Sequence, residues 1–214
     1  MIAIIVLLVV IAAAGVVLVI ANRGPNRTDR ATLLLPVHAG LGVHRTDGSL
    51  PEIGHGALLG DATMSFNVAY GALDGRATWV FDADSVVGDT TRCLSGAVVR
   101  IGGALPDTTI VGRSMIPVLG QPPRLSVIRP SDPQVASTVD IRSNDPEFVE
   151  SLLTAAVASF FAQFGDELAF ELAGDHVLCV SSRVEPARLP LLVKAVLALI
   201  GTAPAPVLGE DRAA

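Results

Sequence analysis

Charged residues are scarce in this 214-residue chain, and positive charge is scarcer than negative charge. Only 17% of the residues are charged, and 15 Lys+Arg stand against 21 Asp+Glu, which gives a formal net charge of -6. An average soluble domain carries about 25% charged residues. The lack of positive charge excludes a basic nucleic-acid binder, and the hydrophobic content of 50% excludes a disordered chain. Nearly all the basic residues are Arg, a composition typical of a GC-rich bacterium.

The largest excess of hydrophobic residues lies at the start of the chain. Met1–Ala21 has no charged side chain, and a helix of this length would be about 31 Å long, close to the thickness of a bilayer core. A cleaved signal peptide is the alternative, because Val19 and Ala21 are small residues placed as a cleavage site requires. However, no basic residue precedes the run, and the run is longer than a usual signal-peptide core. The sequence therefore predicts a single uncleaved transmembrane helix over residues 1–21 and excludes a multi-pass protein.

Basic residues follow the predicted span on one side only. Arg23, Arg27 and Arg30 are opposed by Asp29 alone, so the positive-inside rule predicts an outside N-terminus and a cytoplasmic C-terminal domain. These membrane-flanking arginines would lie close to anionic lipids, each contributing about 1 kcal/mol of attraction. The predicted location is the cell membrane. The predicted partner is the bilayer, through residues 1–21, with other membrane proteins as a further candidate.

The remainder divides into a linker, one domain and a tail. Residues 22–31 are polar and contain Gly and Pro, which predicts a juxtamembrane linker, and residues 202–214 are predicted to be a flexible tail. No internal linker is strong enough to divide residues 32–201, so we expect one domain there. It begins with an edge strand at Thr32–Val37 and a glycine-rich loop at Ala39–Gly60.

A β-rich region follows this loop. Alternating apolar residues predict a hairpin, and Gly102-Gly103 is expected to end the strand after it. The predicted strands are Thr63–Tyr70, Arg76–Asp82, Thr91–Ile101, Thr108–Val111, Arg124–Ile128 and Val135–Arg142.

The last third has a helical pattern. Asp145-Pro146-Glu147 is a helix start, with Asp as the N-cap, and apolar residues then recur at helical spacing until Gly165. Glu167–Leu172 and Val177–Ser181 are predicted to form a hairpin, followed by a helix over Pro186–Ile200 whose regular part begins near Pro190. The fold class is therefore α+β. We expect a mainly antiparallel sheet with two helices in the C-terminal third, in the order α-β-β-α.

One stretch resembles a bacterial domain-of-unknown-function family. Val139–Leu153 (VDIRSNDPEFVESLL) is similar to a strand-to-helix junction of that family, with Ile141, Ser143, Asp145, Leu152 and Leu153 at the matching positions. Val139 stands where the family has an aromatic residue. The resemblance extends over roughly residues 135–204. It implies a membrane-anchored protein, and it implies no activity because the family is uncharacterised.

Three histidines lie in or beside the glycine-rich loop. His38, His44 and His55, with Asp47 and Glu52 nearby, are of the types that bind zinc and similar ions. Their spacing matches no familiar zinc motif, and surrounding glycines would hold them poorly in place. We interpret them as solvated loop residues and keep a loop metal site as the alternative.

Other motifs fail on spacing. Asp82-Ala83-Asp84 begins like a calcium loop, but Val87 and Cys93 occupy the positions that require Gly and Glu. Ile101-Gly102-Gly103 lacks the spaced glycines and the Lys of a phosphate-binding loop. The sequence therefore predicts a polar strand end and a turn at these two places.

The two cysteines have no metal-type spacing. Cys93 and Cys179 each lie in an apolar strand-like run, which predicts two buried thiols. A single disulfide remains the alternative if the domain is exported.

No combination of acid, base and nucleophile indicates catalysis, and no cofactor motif is present. The sequence therefore predicts a single-pass, membrane-tethered binding or assembly module that is not an enzyme. One alternative is a membrane-tethered, metal-dependent hydrolase using the His38, His44 and His55 loop. Another is a structural partner that contacts a membrane complex through its span.

Overall fold

A computed structural model describes residues 27–46, 50, 58–59, 63–87, 89–120 and 124–204. The predicted span over residues 1–21 lies outside these ranges, as does the tail from residue 205 onward. In chain order the helices and strands are α1 Arg27–Leu41, β1 Val43–Arg45, β2 Met64–Leu73, β3 Arg76–Val87, β4 Thr90–Gly112, α2 Ile116–Leu119, β5 Ser126–Ile128, α3 Pro133–Thr138, β6 Val139–Ser143, α4 Pro146–Leu152, α5 Ala155–Phe164, β7 Ala169–Ser182 and α6 Leu189–Thr202.

The described strands form one seven-stranded antiparallel sheet. Its order is β1-β2-β3-β4-β6-β5, and β7 also pairs with β4. β7 follows β4 along most of its length, whereas the other edge of β4 pairs first with β3 and then with β6. The predicted α+β class with an antiparallel sheet is confirmed.

The hairpin of β2 and β3 is confirmed and is tighter than predicted. Leu73 pairs with Arg76 across a turn of only Asp74 and Gly75, with φ values of 50° and 75°. Asp-Gly suits this two-residue turn, because both positions need positive φ and these residue types tolerate it.

Two predicted strand breaks are wrong. Gly102-Gly103 lies inside β4, and the hairpin expected around Gly174 is a single strand, β7. Both strands have irregular pairing in the same place, between Arg100 and Thr108 of β4. Because β4 and β7 face each other there, they deform together and the ladder continues beyond the glycines.

The helices also differ from the prediction. Thr32–Val37 belongs to α1 and is not an edge strand, and α1 begins within the segment expected to be a linker. Residues 133–138 form α3 ahead of β6, so the strand predicted from Val135 starts four residues later, at Val139. The single helix expected after Asp145 is divided into α4 and α5, because Thr154 caps a new helix. The C-terminal third therefore has three longer helical segments in the order α-α-β-α, not two in the order α-β-β-α.

The core has a part on each face of the sheet. On one face, Val80, Ala97 and Cys179 pack with residues of α1, α4, α5 and α6. On the other, Phe81, Val98 and Leu178 are covered by Leu58 and by Met115, ahead of α2. Successive strand residues point to opposite faces, so β3 contributes Val80 and Asp82 to the helical side.

Membrane-spanning potential is limited in the described part of the chain. No single helix in those ranges combines the length and hydropathy that a bilayer span needs. Pro146–Leu152 and Ala155–Glu167 meet the length and composition test only as a pair, which bends by 86° at its break.

Candidate functional site

The first described helix is attached to the sheet through an unusual set of residues. Arg30, Leu34 and His38 recur at every fourth position of α1, and all three are buried. The same face contacts β1, β2 and the start of α6. Two of these three buried side chains, Arg30 and His38, are therefore polar. Buried polar groups normally have hydrogen-bond partners, so the partners of each are described below.

Arg30 forms a bidentate ion pair with Asp82 of β3. Its Nε donates to Asp82 Oδ2 at 2.7 Å, and its Nη2 donates to Asp82 Oδ1 at 2.8 Å. The side chains of Arg30 and Asp82 are only 3% and 1% exposed. The planar guanidinium matches a carboxylate in this fork geometry, which makes such pairs strong and directional.

Two further residues complete the coordination of Asp82. The Asn67 side-chain amide donates to Oδ2 at 3.0 Å, and the Ser95 hydroxyl donates to Oδ1 at 2.7 Å. Burial alone would raise the pKa of Asp82, but hydrogen bonds from Arg30, Asn67 and Ser95, with the charge of Arg30, hold that pKa below its ordinary value. The carboxylate is therefore ionised.

The backbone is shaped to bring Asn67 to this position. Asn67 has a φ of 52°, and the pairing of β2 with β3 is irregular between Phe66 and Ala69. Asn tolerates positive φ better than most residues. The bulge turns the Asn67 amide toward Asp82, so local backbone strain serves the buried pair.

The network also includes the chain after β7. Arg30 Nη2 donates to the Val184 carbonyl at 2.7 Å, and the Val184 N–H donates to Ser95 Oγ at 3.3 Å. Next to it, Arg183 Nη2 lies 2.6 Å from Asp84 Oδ1. The network thus joins α1, β3, β4 and the segment that leads into α6.

This arrangement is structural and does not resemble an acid–base site. A carboxylate accepts about four hydrogen bonds, and Asp82 receives two on each oxygen from Arg30, Asn67 and Ser95. No acceptor position remains for a substrate proton. What the network can do is fix the position of α1 on the sheet.

The two described histidines of the predicted loop, His38 and His44, do not form a metal site. His38 is buried, its two ring nitrogens have no hydrogen-bond partner, and burial lowers its pKa, with Asp82 raising it and Arg45 lowering it to a smaller extent. His44 lies exposed on β1, and His55 is outside the described residues. Within the described ranges, no group of three His, Cys, Asp or Glu residues is arranged to bind a metal ion.

The predicted membrane-flanking arginines have different positions. Arg23 lies outside the described residues, and Arg27 is the first residue of α1. Arg30 differs from the expectation, since its buried side chain faces Asp82 and not lipid. The only local indication of its partner is the apolar Val80, which lies two residues before Asp82 and therefore on the same face of β3.

The cysteines are confirmed as thiols without a disulfide between them, but only Cys179 is buried. The prediction of a buried Cys93 is wrong, because this residue lies near the start of β4, where the neighbouring Thr90 and Thr91 are also exposed. Burial raises the pKa of Cys179 far above its usual range, which leaves this thiol unreactive.

A second polar cluster lies on the opposite face of the sheet. His176 Nδ1 lies 2.6 Å from Asp175 Oδ1, and Arg100 Nε lies 2.7 Å from Asp175 Oδ2. Burial lowers the pKa of His176, while Asp175 opposes this effect. Tyr70 and Trp79 lie beside it as a cross-strand pair, with ring centroids 4.9 Å apart.

Comparison with known proteins identifies a similar fold but no family. No protein-family model matches the chain, and no curated protein matches it. The resemblance of residues 135–204 to an uncharacterised bacterial family therefore stays a prediction. Among solved structures, the chain is similar to the crystal structure of the mycobacterial trehalose monomycolate transport factor A, TtfA, with a TM-score of 0.59 and 14% sequence identity. The match covers 82% of this chain and 94% of that one, and at this identity it shows the fold alone.

Proposed function

We propose that this protein is a single-pass, membrane-tethered factor that acts by binding or assembly and not by catalysis. The observation that carries the proposal is the buried Arg30–Asp82 pair, which fixes the first described helix to the sheet. Only five residues separate the predicted span from this helix. A short linker and a rigidly attached helix would hold the folded domain close to the membrane, with little freedom to reorient.

The process we propose is glycolipid transport at the cell envelope. The support is the fold shared with the mycobacterial trehalose monomycolate transport factor A, TtfA. Asp82 has no free acceptor position, which is consistent with an accessory role. The proposed partners are the bilayer and the membrane proteins that move the lipid.

The proposed orientation has the N-terminus outside and the domain in the cytoplasm. With Arg30 buried, this orientation depends on Arg23 and Arg27, which still outnumber Asp29 beside the span. Reporter fusions at Ala214 test it: a reporter active only in the cytoplasm should work, and activity only from an export-dependent reporter would contradict the orientation.

The hydrolase alternative has no specific support in the described part of the chain. His38 is buried within the contact between α1 and the sheet, whereas His44 is exposed on a short strand. The two described candidate ligands are thus split between an interior and a surface position. We therefore advance the binding or assembly role alone.

Deletion and complementation in the native bacterium test the proposal. We expect the deletion strain to accumulate an envelope glycolipid that does not reach the cell surface, measured by radiolabelling and thin-layer chromatography of surface-extracted and total lipid. The full chain should restore the normal distribution, and so should a chain whose residues 1–21 are replaced by an unrelated apolar helix. A chain lacking residues 1–21 should fail. Unchanged glycolipids in the deletion strain would contradict the transport role, and rescue without the span would contradict the tether.

A further inference from the structure

The helices on one side of the sheet present apolar side chains to solvent. α1, α6 and α5 contact one another in that order and share one core with the sheet, and together we call them the helix layer. Leu33 and Leu35 of α1, Phe164 of α5 and Leu191 of α6 are 50–54% exposed. Each therefore exposes about half of a large hydrophobic side chain to solvent.

Beyond the first turn of α1, which contains Arg27, Asp29 and the buried Arg30, the same layer has little charge. α5 has no ionisable residue, and Lys194 is the single charged residue of α6. In α1, the segment from Ala31 to Leu41 contains only His38, whose side chain points inward. Covering the outside of the helix layer would desolvate little charge, whereas burying an unpaired charge is costly.

The helix layer is also where the chain arrives from the predicted span. Six residue steps join Ala21 to Arg27, so these two Cα atoms are at most about 22 Å apart. The Arg30–Asp82 pair then fixes α1 within the layer. The first described helix after the predicted span therefore belongs to the helix layer and not to the other side of the sheet.

We propose that the helix layer lies against the lipid bilayer, with Leu33, Phe164 and Leu191 at the boundary between headgroups and acyl chains. This inference rests on the tether in the proposed function. Apolar helix faces of this kind bury in the interface plane in proportion to their apolar area. Lys194 would contact lipid phosphates there. A second copy of the chain and another membrane protein are the competing occupants.

Photo-crosslinking of the full chain in native membranes separates these occupants. Two single variants carry the photoreactive residue, Phe164→p-benzoylphenylalanine and Leu191→p-benzoylphenylalanine. The control is Val127→p-benzoylphenylalanine. Val127 is equally exposed, at 54%, but lies on the other face of the sheet, because its neighbour Ile128 pairs with Ile141 of the helical-side core. Mass spectrometry identifies each adduct as phospholipid or protein, and the Trp79 fluorescence melt of each variant checks folding.

We expect several-fold more phospholipid adduct at positions 164 and 191 than at position 127. Protein adducts at 164 and 191 without phospholipid adducts would overturn the inference, and so would equal phospholipid adducts at all three positions. Alkaline carbonate washing of the unmodified chain tests the tether separately. A chain released by the wash would contradict the proposed function, whereas a retained chain without lipid adducts at the helix layer would contradict only this inference.

Discussion

Removal of Arg30 tests the energetic role of the buried pair. Arg30→Met keeps much of the side-chain length but removes the charge and the donors to Asp82 and to the Val184 carbonyl. Asp82 would then be an ionised carboxylate, 1% exposed, with only Asn67 and Ser95 as donors. Breaking a buried pair by removing one partner costs about 3–5 kcal/mol. We expect a loss of that size in the free energy of unfolding.

An exposed ion pair of the same length provides the control. Arg100 Nε lies 2.7 Å from Asp175 Oδ2, but these side chains are 54% and 43% exposed. Arg100→Met should therefore cost no more than about 1 kcal/mol. The double variant Arg30→Met/Asp82→Leu should recover much of the loss, because replacing both partners by apolar residues leaves no buried charge.

Urea unfolding of the full chain in detergent measures these differences, with fluorescence of Trp79, the chain's one tryptophan, as the signal. The pH dependence gives a second measurement. The lowered pKa of Asp82 contributes stability that is present above its unfolded pKa, near 4, and is lost as the pH falls through the folded pKa. Arg30→Met should weaken this contribution. Equal destabilisation by Arg30→Met and Arg100→Met would refute the reasoning.

Further predictions concern a histidine, two glycines and a helix cap. Because burial lowers the pKa of His38, wild-type stability should fall as the pH drops below about 6.5, and His38→Leu should flatten that slope in thermal melts from pH 5 to 8. Gly112→Ala would place a Cβ against the backbone carbonyls of Gly165 and Asp166, so we expect a loss of about 1–3 kcal/mol or more in urea unfolding. Its control, Gly201→Ala in α6, meets nothing within 4 Å and should stabilise by up to about 1 kcal/mol; equal effects of the two would contradict the packing argument. Asp145→Ala removes the acceptor for the Phe148 N–H and should cost about 1 kcal/mol in the same assay, and an unchanged midpoint would show that the cap contributes nothing.

Local signals predicted the parts of the fold that depend on local chemistry. The hairpin of β2 and β3 and the Asp145 cap both follow from residue types at fixed positions, and the structure has both, although the turn is confined to Asp74 and Gly75. The continuity of β4 and β7 could not be predicted in this way. It depends on two strands deforming together across a long sequence separation, whereas each glycine alone indicates a break.

α1 was not predicted because polar and apolar residues are mixed on its buried and exposed faces. Its buried face includes Arg30 and His38 beside Leu34, while Leu33 and Leu35 are exposed. Periodicity arguments assume that apolar residues mark the inner face, so they find no amphipathic helix here. The partner of Arg30 lies 52 residues away, and no spacing rule connects Arg30 with Asp82. The sequence pattern therefore groups Arg30 with Arg23 and Arg27 and predicts that all three lie close to lipid.

Hydrogen exchange of α1 in the full chain, reconstituted into phospholipid vesicles, measures directly whether this helix is locked onto the sheet. If the Arg30–Asp82 pair fixes α1, the amides of its central turns should exchange as slowly as those of β4 and should accelerate strongly in Arg30→Met. Exchange of the wild-type α1 amides at the rate of an exposed loop, or no change in Arg30→Met, would contradict the account.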